Sequence, residues 1–196
     1  MEKIVSMSAM EYAERSAKSK KMLLWFAMIS MFMMFAGLTS AYVVSASRPD
    51  WLKDFKLPEA FLYSTIMIVV SSITFHFAKT ATKKGDHGQA SGLLLATLVL
   101  GAGFVVSQFY GFGQVIDSGY YLTGPGSPVT AQFLYVIILA HLAHLFGGLI
   151  VLLVVIYNHF KHKYTPTQTL GIELGAMFWH FLDVLWVYLF FFFYFY

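Results

Sequence analysis

Five uninterrupted apolar runs decide what this chain is able to fold into. The first reads MLLWFAMISMFMMFAGLTSAYVVSA, at 22–46; the others cover about 60–81, 90–112, 129–158 and 171–196. A helix of about 20 apolar residues crosses the roughly 30 Å of hydrocarbon in a bilayer. The runs are continuous and lack the alternating apolar and polar positions of a membrane β-barrel, so helices are expected rather than strands. Only 12% of the residues are charged, against about 25% in an ordinary soluble domain, which leaves too few to cover a globular surface. The expected fold is therefore an all-α integral membrane protein, a five-helix transmembrane domain over 22–196 behind a polar segment, 1–21. That segment stays polar for about twenty residues and the run after it is too long for an h-region, so a retained span is expected rather than a signal peptide.

The basic residues orient the bundle, because Lys and Arg accumulate on the cytoplasmic side. With the N-terminus inside, the inner segments hold Lys3, Arg15, Lys18, Lys20, Lys21, Lys79, Lys83, Lys84, Lys161 and Lys163. The outer loops hold Arg48, Lys53 and Lys56, and the stretch GQVIDSGYYLTGPGSP carries neither Lys nor Arg. This predicts N-terminus inside and C-terminus outside. The net charge of +3 is spread over several loops, so no basic tract points to nucleic acid. With no cysteine in the chain, disulfides and thiolate metal sites are excluded.

Small and hydroxyl residues recur at helical spacing within the spans: Gly37 and Ala41, Thr97 and Gly101, and Ser71, Thr74 and Ala78. Such faces let membrane helices approach closely and bond through their hydroxyls. Ionisable residues deep in a span are confined to the last two runs. His141 and His144 sit mid-way along the fourth; Glu173 opens the fifth, followed by His180 and Asp183. At 1.5 Å per residue, Asp183 and His144 lie at matching depths, about 18 and 20 Å from the inner ends of their helices. His180 and Asp183, three residues apart, share a helical face. Trp179 and Trp186 form another stripe, with a lipid border one place for it, their indole N–H groups seeking partners. His76, His87, His159 and His162 flank inner loops and are expected to meet water or head groups.

Four readings fit the buried constellation: a metal site, a haem held by two histidines, a proton relay, or a fixed polar network locking two helices together. His141 and His144 have no carboxylate beside them of the kind that accompanies an HExxH zinc helix, and nothing else marks a cofactor pocket. Intramembrane ionisable groups carry a cost of about 2.5–3.5 kcal/mol unless paired. The preferred reading is the lock, with His141, His144, His180, Asp183 and Glu173 as one polar network.

The order of residues in the last run, GIELGAMFWHFLDVLWVYLF, resembles the final helix of subunit III of the haem-copper cytochrome c oxidases. HLAHLFGGLIVLL resembles that family's His-Gly-x-His-Val segment, with Leu142 in place of the glycine. The first span matches in Trp25, Ser30, Phe35, Ala36, Gly37, Ala41 and Tyr42, and the second in Pro58, Ser71, Ser72 and Thr74. The resemblance covers about 22–196, and five spans correspond to the family's short bacterial form. It implies an accessory subunit with no catalytic residue, metal or cofactor of its own. Haem and copper would be carried by partner subunits I and II, and structural phospholipid would lie among the helices. It also implies support of proton uptake by subunit I, location in the bacterial inner membrane, and a respiratory supercomplex with a cytochrome c reductase as a further partner. Trp25, Trp179, Trp186 and Gly37 are the lipid-cleft or helix-contact candidates. After the serine of the first span the family usually has a buried glutamate; here Met31 follows Ser30, so a proton-handling role for that position does not carry over. The alternatives are a subunit III relative in a quinol oxidase or nitric oxide reductase, and a free-standing small transporter.

Overall fold

The computed structural model describes residues 2–49, 51–52, 57–124, 127–166 and 168–196, with side chains from Glu11 onward. Lys53 and Lys56 of the first outer loop lie outside the described residues, as does the side chain of Lys3. Five helices account for the apolar runs: α1 (Glu2–Ser45), α2 (Glu59–Lys84), α3 (His87–Asp117), α4 (Val129–Phe160) and α5 (Leu170–Phe195). Each is long and apolar enough to cross a membrane. α1 runs back through most of the polar segment, so residues before the first apolar run are helical, with Arg15 bonded to Glu11 one turn earlier.

Local chemistry sets the helix ends. Pro58, which cannot donate to a preceding carbonyl, stands immediately before Glu59 and α2. α2 ends on Gly85 at φ 79°, whose N–H bonds Thr82 O while Asp86 N–H bonds Ala81 O. This is the left-handed cap that glycine adopts without a Cβ clash. The Asp86 side chain then accepts from Gln89 N at 3.0 Å, capping α3 at once. α2 and α3 consequently form a tight antiparallel hairpin, joined by Thr74 Oγ1–Thr97 Oγ1 at 2.8 Å and Gln108 Nε2–Ser64 Oγ at 2.7 Å.

α5 is the spine of the bundle. It packs against α1, α2 and α4, while α3 bridges α2 and α4; α1 packs against α4 and α5 but not along α2. The buried face of α5 includes Ile172, Trp179, Leu182, Trp186 and Leu189. Large apolar side chains elsewhere, among them Leu23, Phe26, Val106 and Phe146, point outward, as they do when the surrounding solvent is lipid. The basic end of the bundle gathers Lys21, Lys83, Lys84, Lys161 and Lys163, from α1, α2 and the end of α4.

Candidate functional site

α5 presents its polar atoms to α2 in antiparallel register. Trp179 Nε1 donates to Ser71 Oγ at 3.1 Å, and Trp186 Nε1 to Thr65 Oγ1 at 3.0 Å, two helical turns away. Between them His180 Nδ1 is 2.6 Å from Ser72 Oγ. Both indoles are buried, at 1% exposure. The lipid-border position for the Trp179 and Trp186 stripe is therefore corrected: their N–H groups find hydroxyl acceptors only on the protein side, and a ring of that size needs the space that glycines leave. A methyl group added at Gly101 would stand 2.8 Å from the Trp179 ring, and one added at Gly148 would meet Leu182 Cδ1 at 2.6 Å. The Thr97/Gly101 stripe is the seat of an aromatic side chain.

The five ionisable residues expected to form one network are distributed over separate environments. His141 is fully buried among aromatic rings, with its centroid 5.2 Å from Trp186, 6.2 Å from Phe35 and 6.3 Å from Phe104. Among the described residues, neither of its ring nitrogens has a hydrogen-bond partner. His144 Nδ1 lies 2.7 Å from the Ala140 carbonyl of its own helix. Asp183 is 3% exposed; its carboxylate oxygens meet full hydrogen-bond geometry with no described protein group, although the Ser72 hydroxyl lies near enough to interact. The expected hydrogen-bonded lock between the fourth and fifth helices is thus not made among the described residues. The indole and imidazole bonds of α5 go to α2, which offers hydroxyls in register, while α4 meets α5 through Gly148 and the His141–Trp186 stack.

Glu173 belongs to another site, at the basic end. It accepts from Lys83 Nζ at 2.7 Å, Lys21 Nζ at 3.1 Å and Thr169 Oγ1 at 3.0 Å. One carboxylate therefore ties α1, α2 and α5 together where α1 and α2 do not pack on each other. Sequence reasoning missed both lysine partners, the acceptor Thr65 and the Ser72 hydroxyl that pairs with His180. The antiparallel register, in which 179 faces 71 and 186 faces 65, carries the signal once α2 and α5 are known to be neighbours.

Two of the concavities at this end adjoin each other. A groove of about 450 Å³ runs between α1, α4 and α5, lined by Leu24, Ala27, Met31, Val151, Val155 and Phe178 among others. A polar pocket of about 530 Å³, with Lys21, Lys163, Gln168, Thr169 and Glu173, shares Tyr164 and Gly171 with it. Trp25, 54% exposed, and Gly37, with open space where a Cβ would stand, lie on the outer surface of α1. The groove is lined by their neighbours Leu24 and Met31 rather than by Trp25 and Gly37 themselves. Among the described residues, no group of three or more His, Asp or Glu side chains could hold a metal ion.

The family model described as Cytochrome c oxidase subunit III matches residues 10–196. Cytochrome bo(3) ubiquinol oxidase subunit 3 of Pseudomonas putida is 30% identical over 167 residues, covering 83% of this chain and 79% of the relative. Cytochrome c oxidase subunit 3 of Corynebacterium diphtheriae is 31% identical over 165 residues, 81% and 78% of the two chains. That of Bacillus sp. (strain PS3) is 25% identical over 182 residues, 91% and 86%.

Proposed function

Because the chain belongs to the cytochrome c oxidase subunit III family, we propose that it is a non-catalytic accessory subunit of a respiratory haem-copper terminal oxidase in the bacterial inner membrane. It packs against subunit I, assembles with subunit II, and leaves haem and copper to those partners. Its N-terminus and basic end face the cytoplasm, in line with the placement of Lys and Arg. Within the complex it holds phospholipid and stabilises subunit I, which sustains proton uptake there.

The observation that supports the lipid role is the pairing of an apolar groove with a polar mouth. An acyl chain fits the groove between α1, α4 and α5, while Lys21 and Lys163 at the adjoining pocket suit an anionic head group. Met31 lines the groove where the family usually has a glutamate, so this wall is suited to hydrocarbon rather than to proton transfer.

The test is purification of the complex in mild detergent through a tag on this chain, with an optical spectrum and native mass spectrometry. Haem absorption with co-purifying subunits I and II, and phospholipid retained on this chain, are the expected result. A lone colourless protein would refute the assignment to an oxidase. Names on both sides of the donor question occur among relatives of equal similarity, from Pseudomonas putida and Corynebacterium diphtheriae. A quinol oxidase is therefore the second reading, and copper in the co-purified subunit II separates it from a cytochrome c oxidase.

A further inference from the structure

Between the two indole bonds, α5 and α2 share a titratable arrangement that packing alone does not explain. His180 Nδ1 is 2.6 Å from Ser72 Oγ. Asp183, one turn deeper on α5, also has the Ser72 hydroxyl within reach. One hydroxyl therefore stands between an imidazole and a carboxyl group. Among the described residues, the other ring nitrogen, His180 Nε2, and both Asp183 oxygens are buried without a partner that meets full hydrogen-bond geometry.

A hydroxyl carries one proton, so it donates in one direction at a time. In one arrangement Ser72 donates to His180 Nδ1 and accepts from a protonated Asp183. In the other it donates to the Asp183 carboxylate and accepts from His180 Nδ1–H. The first keeps both end groups neutral. The second, with a neutral ring, leaves a carboxylate that is 3% exposed inside a span, where an ionised group without a partner is costly.

The far side of the imidazole leads outward. His180 lines a concavity of about 400 Å³ together with Lys79, Lys83, Glu173 and Met177. Glu173 lies seven residues toward the start of α5, about 10 Å along the helix, at the basic end. This cleft is polar and has room for water. The charged and titratable groups about the triad are few. From α2 come Lys79, Lys83 and His76, whose ring centroid is 6.2 Å from that of His180. Lys83 is paired with Glu173, which also holds Lys21 of α1. On α4, His141 and His144 stand against Trp186 and Phe35 instead.

We propose that Asp183 is a proton-storing site, loaded and unloaded from the basic end through Ser72 and His180. In the loaded state Asp183 O–H donates to Ser72 Oγ, Ser72 donates to His180 Nδ1, and the neutral ring carries its own proton on Nε2. In unloading, the Asp183 proton passes to Ser72 Oγ as the Ser72 proton passes to His180 Nδ1, and the Nε2 proton leaves to water in the cleft. A carboxylate and an Nδ1–H ring remain, and the reverse transfers reload the site. This site does not depend on the oxidase assignment, and its test uses this chain alone.

The test is infrared difference spectroscopy of the full chain in detergent, unaltered against D183N. At neutral pH a protonated-carboxyl C=O band that D183N removes is expected. That band should vanish after an upward pH jump and return on the reverse jump. S72A and H180F should retain the band at neutral pH but relax after the jump about tenfold more slowly or worse, because a positioned proton-transfer group is missing. The band itself reports a buried Asp183 in each variant, which separates a broken relay from misfolding. Absence of an Asp183-dependent band at neutral pH, a band that no upward jump removes, or relaxation of S72A at the unaltered rate would overturn the proposal.

Discussion

Replacing Trp179 by Phe isolates the contact that most defines the bundle. The change keeps an aromatic ring between α2, α3 and α4 but removes the Nε1 donor to Ser71 and part of the ring that fills the space over Gly101. A hydrogen bond between membrane helices contributes about 0.6 kcal/mol on average and up to about 1.7. The lost ring volume leaves a partial cavity, for which about 1–2 kcal/mol is reasonable beside the larger costs of full truncation to Ala. The sum is about 2–4 kcal/mol. Trp25→Phe is the matched control: Trp25 is 54% exposed, so its change should stay within about 0.5 kcal/mol. Reversible unfolding of the detergent-solubilised chain, followed by circular dichroism, measures both. A double-mutant cycle with Ser71→Ala then extracts the hydrogen-bond share, expected within the range just given. If Trp179→Phe were no more destabilising than Trp25→Phe, the placement of the indole in a fitted protein seat would be wrong.

Glu173→Gln should cost about 1 kcal/mol, since its lysine partners are about half exposed. The deficit should shrink when the unfolding titration is repeated at high salt, because the pairs lost are screened there. Gly148→Leu should cost about 1–3 kcal/mol or block assembly by driving into Leu182 and Trp179. Gly37→Leu should be tolerated in the isolated chain, and comparing the expression yield and thermal midpoint of the two variants checks both statements. Asp183→Leu should be neutral or stabilising, because a buried group without well-formed bonds is replaced by an apolar one. A loss of about 1–3 kcal/mol in the same titration would instead restore the hydrogen-bonded lock read from the sequence.

The helix count and the packing role of Thr97, Gly101, Ser71 and Thr74 were legible in the sequence, because each rests on composition or on periodicity within one run. What was not legible is which helix faces which. Matching depths along antiparallel α4 and α5 made His144 and Asp183 look like partners, but depth constrains only one coordinate. Rotation about the helix axis is set by where bulky side chains find room, and Trp179 finds it over Gly101 and Gly148. That fixes the face of α5 turned to α2 and takes His180 to Ser72. The burial of His159 was hidden for a similar reason. It neighbours Lys161 and Lys163 in sequence, and only the meeting of α4 with the start of α3 encloses it.

The distribution of polar bonds also explains why a groove exists at all. α2 is bound to α5 along two turns by three hydroxyl contacts, and α4 is bound to it by close steric fit at Gly148. α1 is tied by hydrogen bonds to α5 near two points, Lys21 on Glu173 and Thr39 Oγ1 on Tyr188 OH at 3.0 Å. Those points are 18 residues apart, about 27 Å of helix. Between them α1 offers Leu24, Ala27 and Met31, which have no polar atom to bring α5 closer, and α5 answers with Gly175 and Phe178. A helix fastened near both ends of its span and apolar between them leaves space that only hydrocarbon fills without an unpaired polar group. The same reasoning makes a sharp demand of Met31. A glutamate placed there would bring a charge to that apolar wall, so Met31→Glu should weaken retention of phospholipid by the purified complex, measured by native mass spectrometry. Met31→Leu should leave retention unchanged. Equal lipid content in the two variants would mean that the groove is not where the lipid lies.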